Sequence, residues 1–396
     1  MESMQRVPKE ILNMMDTLLQ AGHRVYLVGG CVRDFLLGKT PNDWDLCTSA
    51  LPEEMVSLFP HTVLTGMKHG TVTVVGAAET AEITTFRKDG DYTDHRRPDT
   101  VLFSDTLEED LARRDFTVNA MAMDRHGKLE DPYGGRQDLQ GKLLRCVGNP
   151  DRRFQEDALR MFRCLRFAAQ LGFTIHPETF AALHRNAPLA AFVAPERIHV
   201  ELEKTLCAEH PEYGAQMVTG GLLTAFLAEN HSVDLTDLTK LPREPRLRWA
   251  LFCHRLRIAG NLRDTEQFLR QLRLDRQTIS SVSAGVALAE TGFPETTVGI
   301  KQLLSRHGAA GVRCAAACFP ESDGLQRVEA VIASDECYEL NQLALKGGDL
   351  AAMGYRGTEI GAQQRRLLDW VIVHPEENTP QALRQRLEDA KHDGLE

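Results

Sequence analysis

The chain has 396 residues, so two to four domains are expected, with 42% hydrophobic and 26% charged residues in ordinary globular proportion. A formal net charge of −10 excludes a nonspecific coat for nucleic acid, although a local basic surface is enough to bind one. No apolar run reaches the roughly 20 residues of a membrane helix, and the start, MESMQRVPKE, lacks the apolar core of a signal peptide. The nine cysteines form no C-x-x-C pair, and Cys314 and Cys318 lie in an Ala-rich stretch with no His or Cys beside them, so they read as buried apolar residues. An odd number of free thiols and no leader point to a cytoplasmic protein with no membrane association.

In chain order, residues 9–19 carry helical apolar spacing that Gly22 stops. Residues 25–28 form a short apolar strand, and 32–37 a helix that opens after Gly29-Gly30 and ends at Gly38. Strands follow at 45–48, 71–75 and 82–86, rich in β-branched residues. Residues 87–99 are polar, with Gly90 and Pro98, and read as a long exposed loop of the kind that is functional or disordered. From Thr106 to Met123 the pattern is helical, and DPYGGRQDL at 131–139 lies between two strand-like pieces. Beyond Asp151 no strand is convincing, and long helical patterns run to the end, broken by prolines. The fold class is therefore α+β: a mixed sheet with helices, followed by an all-α remainder.

The stretch LVGGCVRDFLLGKTPNDWDLCTS carries the first chemistry. Asp43 and Asp45 are two apart, so on a strand they share one face. Two such carboxylates suit Mg2+, a hard cation usually held by one or two carboxylates plus substrate phosphates. A pair of such ions can activate a hydroxyl and stabilise departing pyrophosphate. A D-x-D by itself is more often a solvated loop; here the context argues otherwise. Gly29 and Gly30 sit between strand and helix, where backbone amides and the positive helix end meet an anion. Arg33 lies one turn on and can fork onto phosphate oxygens. Neither a dinucleotide fingerprint nor a P-loop is present. Glu82, in AEITTFR, is the candidate third carboxylate, an exposed strand charge being an equal alternative.

QEDALRMFRCLRFAAQLGF, residues 155–173, places Met161, Leu165, Ala168 and Ala169 on a core face. Asp157, Arg160, Arg163 and Arg166 recur every third residue as a polar stripe, which a salt-bridged solvent face would also show. Hydrogen-bond chemistry gives the sharper reading. Cytosine and adenine each offer an amino donor beside a ring-nitrogen acceptor, so a carboxylate at Asp157 and a guanidinium at Arg160 would accept both. Uracil and guanine present the opposite pattern and would leave buried polar groups unpaired.

These blocks together resemble the class II, bacterial-type CCA-adding tRNA nucleotidyltransferase and poly(A) polymerase family of the polymerase-β-like superfamily. Residues 27–49 resemble its first motif, RRDFTVNAMAMD at 113–124 its second, DPYGGRQDL its third, EDALRMFR at 156–163 its fourth and ERIHVELEK at 196–204 its fifth. The resemblance covers about the first 205 residues. It implies a catalytic head at 1–147, a base-recognising neck at 148–205, a helical body at 206–276 and a helical, tRNA-binding tail at 277–396. It implies magnesium on Asp43 and Asp45, nucleotide phosphates on Gly30 and Arg33, and ribose and triphosphate held by Arg114, Asp115 and Asn119. Asp157 and Arg160 would read the base, with Arg163 and Arg166 in support. The implied reaction adds C, C and A to the tRNA 3′ end from CTP and ATP. In the family, the loop between the first two motifs is associated with the final A, and here it is of full length with Arg96-Arg97-Pro98. The arginines of 241–276 would meet tRNA phosphates. An A-adding enzyme, a poly(A) polymerase and a non-catalytic tRNA-binding protein are the alternatives. Oligomeric state, monomer or homodimer, stays open.

Overall fold

A computed structural model describes residues 3–64, 66–89 and 101–392. The chain divides into two compact units, Met1–Ala225 and Phe226–Glu396.

The first unit is built on a seven-stranded sheet. Its strands are β1 Val25–Val28, β2 Trp44–Thr48, β3 Thr62–Val63, β4 Thr71–Val75, β5 Thr80–Thr85, β8 Ala122–Met123 and β9 Leu129–Glu130. They lie in the order β3-β4-β5-β2-β1-β8-β9. A separate hairpin pairs β6 Arg87–Asp89 with β7 Val101–Phe103. Among the described residues, only β2 and β5 run parallel within the large sheet, and their register sets Asp45 beside Glu82. Strand alternation puts Leu46 inside and turns Asp45 toward the opposite face. Val28, Cys47, Phe86, Leu111 and Ala122 form the apolar layer under this part of the sheet.

Helices α1 Lys9–Gln20, α2 Gly30–Leu36, α3 Pro52–Leu58, α4 Leu107–Ala112 and α5 Gly135–Gln140 surround the sheet. The helical pattern of 106–123 is realised only as far as Ala112. A 3-10 turn at Thr117–Asn119 and strand β8 take up the rest. There Phe116, Val118, Ala120, Met121 and Ala122 are all fully buried, and an apolar run buried on every side has no helical stripe to read. DPYGGRQDL clamps this turn. Asp131 caps α5 through the Gly135 and Arg136 N–H groups at 2.7 and 2.9 Å, and Asp138 accepts from the Thr117 hydroxyl at 2.7 Å. A Cβ at Gly135 would lie 2.2 Å from the Thr117 carbonyl oxygen, so no larger residue fits there.

Helices α6 Pro150–Glu156, α7 Leu159–Leu171, α8 Pro177–Asn186, α9 Pro195–Leu206 and α10 Tyr213–Thr219 complete the unit. Residues 155–173 are thus not one helix. Asp157 leaves helical geometry at φ −143°, ψ 104°, and its carboxylate accepts from the Leu159 N–H at 3.1 Å. An acidic side chain that caps the next helix is a stop and start signal in one residue. Gly172 ends α7 at φ 67°. One strand beyond Asp151 also appears: β11 Thr174–Ile175 pairs parallel with β10 Leu143–Leu144, too short for any sequence period to register.

The second unit is helical, as expected: α11 Pro245–Ile258, α12 Thr265–Gln271, α13 Arg276–Ala289, α14 Thr297–Ala317, and four further helices at Gly324–Ala333, Gly347–Ala352, Thr358–Val373 and Pro380–His392. Trp249, Phe252 and Phe268 form an aromatic cluster, with ring centroids 5.9 Å apart for Trp249–Phe252 and 6.5 Å for Trp249–Phe268. Cys314 and Cys318 are buried thiols, as read. Among the described residues, no helix is long and apolar enough to cross a membrane. Truncating the 1%-exposed Phe268 to Ala removes a ring that this cluster cannot refill. Phe268→Ala should destabilise the second unit by about 3–5 kcal/mol, seen as an earlier urea midpoint by circular dichroism.

Candidate active site

The turn from β1 into α2 brings the backbone against the carboxylate strand. Gly29 sits at φ 74°, ψ −134°, where a side chain is disfavoured. A Cβ there would stand 3.0 Å from Arg114 Nη1 and 3.7 Å from Asp45 Oδ2. Gly29 is therefore the point where the turn, the arginine and the carboxylate meet. A Cβ at Gly30 would lie 3.6 Å from Arg33 Nη2, so the second glycine sits beside that guanidinium.

Asp43 lies at the bend before β2 and is exposed, whereas Asp45 is half-buried on β2. Glu82, exposed on β5, is its register partner. Burial pushes the Asp45 carboxyl up to about 6; Arg114 opposes this, while Glu82 and Asp43 add to it. Desolvation disfavours the charged carboxylate, and nearby like charges add to the effect. The set suits a divalent cation: three hard oxygen donors, with excess negative charge at the most buried of them. Their ligand atoms do not all come within 4.8 Å of one another. Asp45 and Glu82 lie side by side on adjacent strands, which are about 4.8 Å apart.

Arg114 is held by Asp110, which accepts from Arg114 Nη2 at 3.1 Å and, on its other oxygen, from Arg113 Nε at 3.0 Å and Nη2 at 2.8 Å. Burial acts to raise the Asp110 carboxyl, but these two guanidiniums hold it below its ordinary value. Among the described residues Arg114 Nε is buried without a hydrogen-bond partner, an unspent donor on the guanidinium whose Nη1 faces Gly29.

A second network crosses from α2 to α7. Arg33 Nη1 donates to Asn119 Oδ1 at 2.8 Å, Asn119 Nδ2 donates to Asp115 Oδ1 at 3.2 Å, and Arg163 Nε donates to Asp115 Oδ2 at 2.8 Å. Burial alone would raise the Asp115 carboxyl, but Arg163, helped by Arg160 and the Asn119 amide, holds it down at about 2. Beneath them lies Phe167, with Arg33, Arg163 and Arg166 at 5.3, 5.2 and 3.8 Å from its ring centroid.

Asp157 and Arg160 are neighbours across the α6–α7 break, each anchored separately. Arg160 Nη1 donates to Glu156 Oε2 at 2.7 Å and to the Arg153 carbonyl at 3.1 Å, and Nη2 donates to the Arg113 carbonyl at 2.8 Å. Asp157 Oδ2 accepts from Arg197 Nη2 at 3.1 Å. Arg166 pairs with Glu201 on α9 and donates to Gln170 at 2.7 Å. The expected residues thus fall into two groups within the first unit. Asp43, Asp45, Glu82, Gly29 and Arg114 cluster on the sheet, while Arg33, Asn119, Asp115 and Arg163 form a chain to the helices. Sequence reasoning gave no role to Arg197, Glu201, Phe167 or Asp110. The spacing of Asp110 to Arg114, four apart, was a usable signal; the pairings of Arg166 and Asp157 with α9, 35 and 40 residues apart, left none. Arg96-Arg97-Pro98 lies outside the described residues.

Comparison with known proteins identifies this arrangement. The Poly A polymerase head domain matches residues 25–145, and the probable RNA and SrmB-binding site of polymerase A matches 172–232. The CCA-adding enzyme of Geobacillus stearothermophilus is 38% identical over 358 residues, 86% of each chain. That of Geobacillus kaustophilus is 38% identical over 375 residues, 91% of each. The chain belongs to the CCA-adding enzyme family. The crystal structure of the Bacillus stearothermophilus CCA-adding enzyme in complex with CTP superposes with a TM-score of 0.79 at 32% identity, over 97% of this chain and 98% of that one. Family membership makes the protein a nucleotidyltransferase of class II, a metal-dependent type, with the head and helical architecture expected from the motifs.

The Asp115 network carries its own pH signature. Its carboxyl is held below the ordinary 3.8, so its contribution is present in full above about pH 4 and is lost as pH falls toward 2. A shift of this size corresponds to about 2–3 kcal/mol. Asp115→Asn should lower unfolding free energy most at pH 5–7, and the gap from wild type should shrink as pH is lowered through 4, as read by urea titration at each pH.

Proposed function

We propose that this chain adds C, C and A to the 3′ end of tRNA without a nucleic-acid template, taking CTP and ATP and releasing diphosphate. The observation that carries the proposal is the meeting at Gly29 of the Asp45 carboxylate and the Arg114 guanidinium, with Glu82 in register beside Asp45. A triphosphate needs that combination of anion-binding backbone, cation and guanidinium. The names of the similar enzymes favour CCA addition over A-only addition, poly(A) synthesis or a non-catalytic scaffold.

In this reading Asp43 and Asp45 hold magnesium, with Glu82 as third carboxylate. When bound, the metal supplies Lewis acidity to the triphosphate and lowers the pKa of the attacking tRNA hydroxyl. Gly29 and Gly30 let the backbone approach the phosphates, and Arg33 and Arg114 neutralise them. Asp115 and Asn119 hold the ribose, and Arg163 keeps Asp115 ionised for that task. Asp157 accepts from the exocyclic amino group of C or A, and Arg160 donates to the ring nitrogen. Arg197 fixes the Asp157 carboxylate, and Glu156 fixes Arg160. Arg166 supports the wall through Glu201. The division into head 1–147, neck 148–205, body 206–276 and tail 277–396 belongs to the same proposal. So does a cytoplasmic location, which rests on nine free cysteines.

Offered CTP alone and a tRNA ending at its discriminator base, the pure protein should add two residues; absence of any C addition by folded protein rejects the reading. Asp45→Ala should abolish transfer while leaving tRNA affinity within about twofold, since one carboxylate near the metal touches little of the RNA. Asp157→Ala and Arg160→Ala should each relax discrimination against UTP and GTP by about ten- to a hundredfold, the worth of one bidentate base contact. Unchanged nucleotide preference in single-turnover assays would remove those two residues from base selection.

A further inference from the structure

Helix α7 puts Phe167 where three arginines converge. Its side chain is buried at 7% exposure, and the guanidinium carbons of Arg166, Arg163 and Arg33 lie 3.8, 5.2 and 5.3 Å from the ring centroid. Arg163 stands one turn earlier on the same helix, so i,i+4 spacing brings it onto the ring. Arg33 arrives from α2, the helix that opens after Gly29. Phe116 meets Phe167 with 5.8 Å between centroids and 78° between planes, an edge contact that restrains the tilt of the ring.

Like charges repel, so three guanidiniums on one apolar side chain need a physical reason. Part of it is pairing. Arg33 has Asp34 on its N–H donors, Arg163 has Asp115 and Arg166 has Glu201. Those carboxylates occupy donors, and the attraction of a cation for the π-face of a ring comes in addition to them. Burial lowers the Arg166 guanidinium from its ordinary value; Glu201 opposes this and Arg163 adds to it. The cost of holding the cations together thus shows at the one nearest the ring. Arg33 is the member that reaches the glycine turn, since a Cβ at Gly30 would lie 3.6 Å from its Nη2. A triphosphate that draws the Arg33 donors away from Asp34 leaves two restraints on this guanidinium, the Asn119 amide oxygen at 2.8 Å and the ring.

We propose that Phe167 is a positioning residue for nucleotide binding: its π-face, and not its bulk, holds Arg33 in place for the triphosphate and Arg163 in place for Asp115. The proposal rests on the nucleotide reading above and adds to it a residue that acts only through the arginines it touches. Neither Arg33 nor Arg163 reads a base in that reading, so the ring sets the affinity for CTP and ATP alike.

The test replaces Phe167 in the full chain with mono-, di- and trifluorophenylalanine, a series that keeps the shape of the ring and withdraws negative charge from its face, and with Phe167→Leu, which removes the ring. Dissociation constants for CTP and ATP are measured by calorimetry, and KM and kcat with tRNA lacking its 3′ CCA. Both dissociation constants should rise together along the series, reaching about tenfold at trifluorophenylalanine, the order of a desolvated cation–π contact. Turnover at saturating nucleotide should stay within about twofold, because the lost interaction is made in ground and transition states alike. In an Arg33→Gln background the series should flatten, since the cation that meets the phosphates is gone. Fluorine for hydrogen barely changes volume, so a ring that only fills space gives a flat series in the wild-type background too. A flat series in proteins with wild-type melting profiles overturns the proposal, as does an effect confined to the preference for one base. If Phe167→Leu does not fold, the fluorinated series still decides. A wild-type protein that binds CTP but extends no tRNA defeats the function proposed above, and the binding series still decides the role of the ring. One that binds neither nucleotide defeats both.

Discussion

The first unit depends on a single buried carboxylate. Asp115 is 8% exposed, and its two oxygens take the Asn119 amide on one side and the Arg163 guanidinium on the other. Through Asn119 it fixes Arg33, the arginine of the glycine turn; through Arg163 it fixes α7, the helix that carries Arg160. Breaking a buried pair by removing one partner leaves an uncompensated charge, at a cost of several kcal/mol. The network therefore sets the position of the glycine turn relative to the helix that carries Arg160. Phe167 supports it from below. Three guanidiniums crowd around one ring, and each would repel the others without the carboxylates at Asp34, Asp115 and Glu201 that pair with them.

Two aspartates of the first unit are driven in opposite directions, Asp115 buried and Asp45 half-buried. Burial would raise Asp115, but the guanidinium on its oxygen holds it at about 2, while burial, with Glu82 and Asp43 adding to it, pushes Asp45 up to about 6. The first is a finished structural pair. The second is an unbalanced charge, which suits it to the cation site proposed above. Asp45 remains destabilising to the metal-free fold at neutral pH, which is the pattern of a group kept for function at the expense of stability. Arg114 sits between these regimes: Asp110 holds one end of its guanidinium, and among the described residues its buried Nε has no partner.

What the sequence disclosed and what it hid divide along a physical line. Periodicity of two placed Asp43 and Asp45 on one face, and a strand-glycine-helix succession placed Gly29, Gly30 and Arg33, because these are short-range backbone rules. Glu82 was legible as a carboxylate on a strand, but its pairing with Asp45 depends on the parallel junction of β2 and β5, which no local pattern encodes. The run at 155–173 read as one helix because its apolar spacing continues through the break. Asp157 as a cap for the following helix is a signal that competes with that spacing and prevailed. Arg197 and Glu201 were within a recognised block yet without a role, since their partners lie 40 and 35 residues upstream on other elements. Fully buried positions at 116–122 misled for the opposite reason, having too little polarity to show any period.

Net charge is a poor guide to the partner of such a chain. At physiological ionic strength charges are screened beyond about 8 Å, so a phosphate responds to the side chains it touches and not to the sum over 396 residues. The helical unit shows how an acidic protein keeps local basic surface. Arg313, Arg255 and Arg257 are consumed by Glu244, Asp237 and Glu290, and are thereby neutralised. Arg246 and Arg276 instead line a cavity whose described wall holds no carboxylate. A glycine in the middle of α14, which costs about 1 kcal/mol relative to alanine in a regular helix, breaks the helix next to His307 and Ala310, which line that cavity. Among the described residues nothing lies within 4 Å of where a Gly308 Cβ would be, so packing does not demand the glycine; the positive φ of the break does.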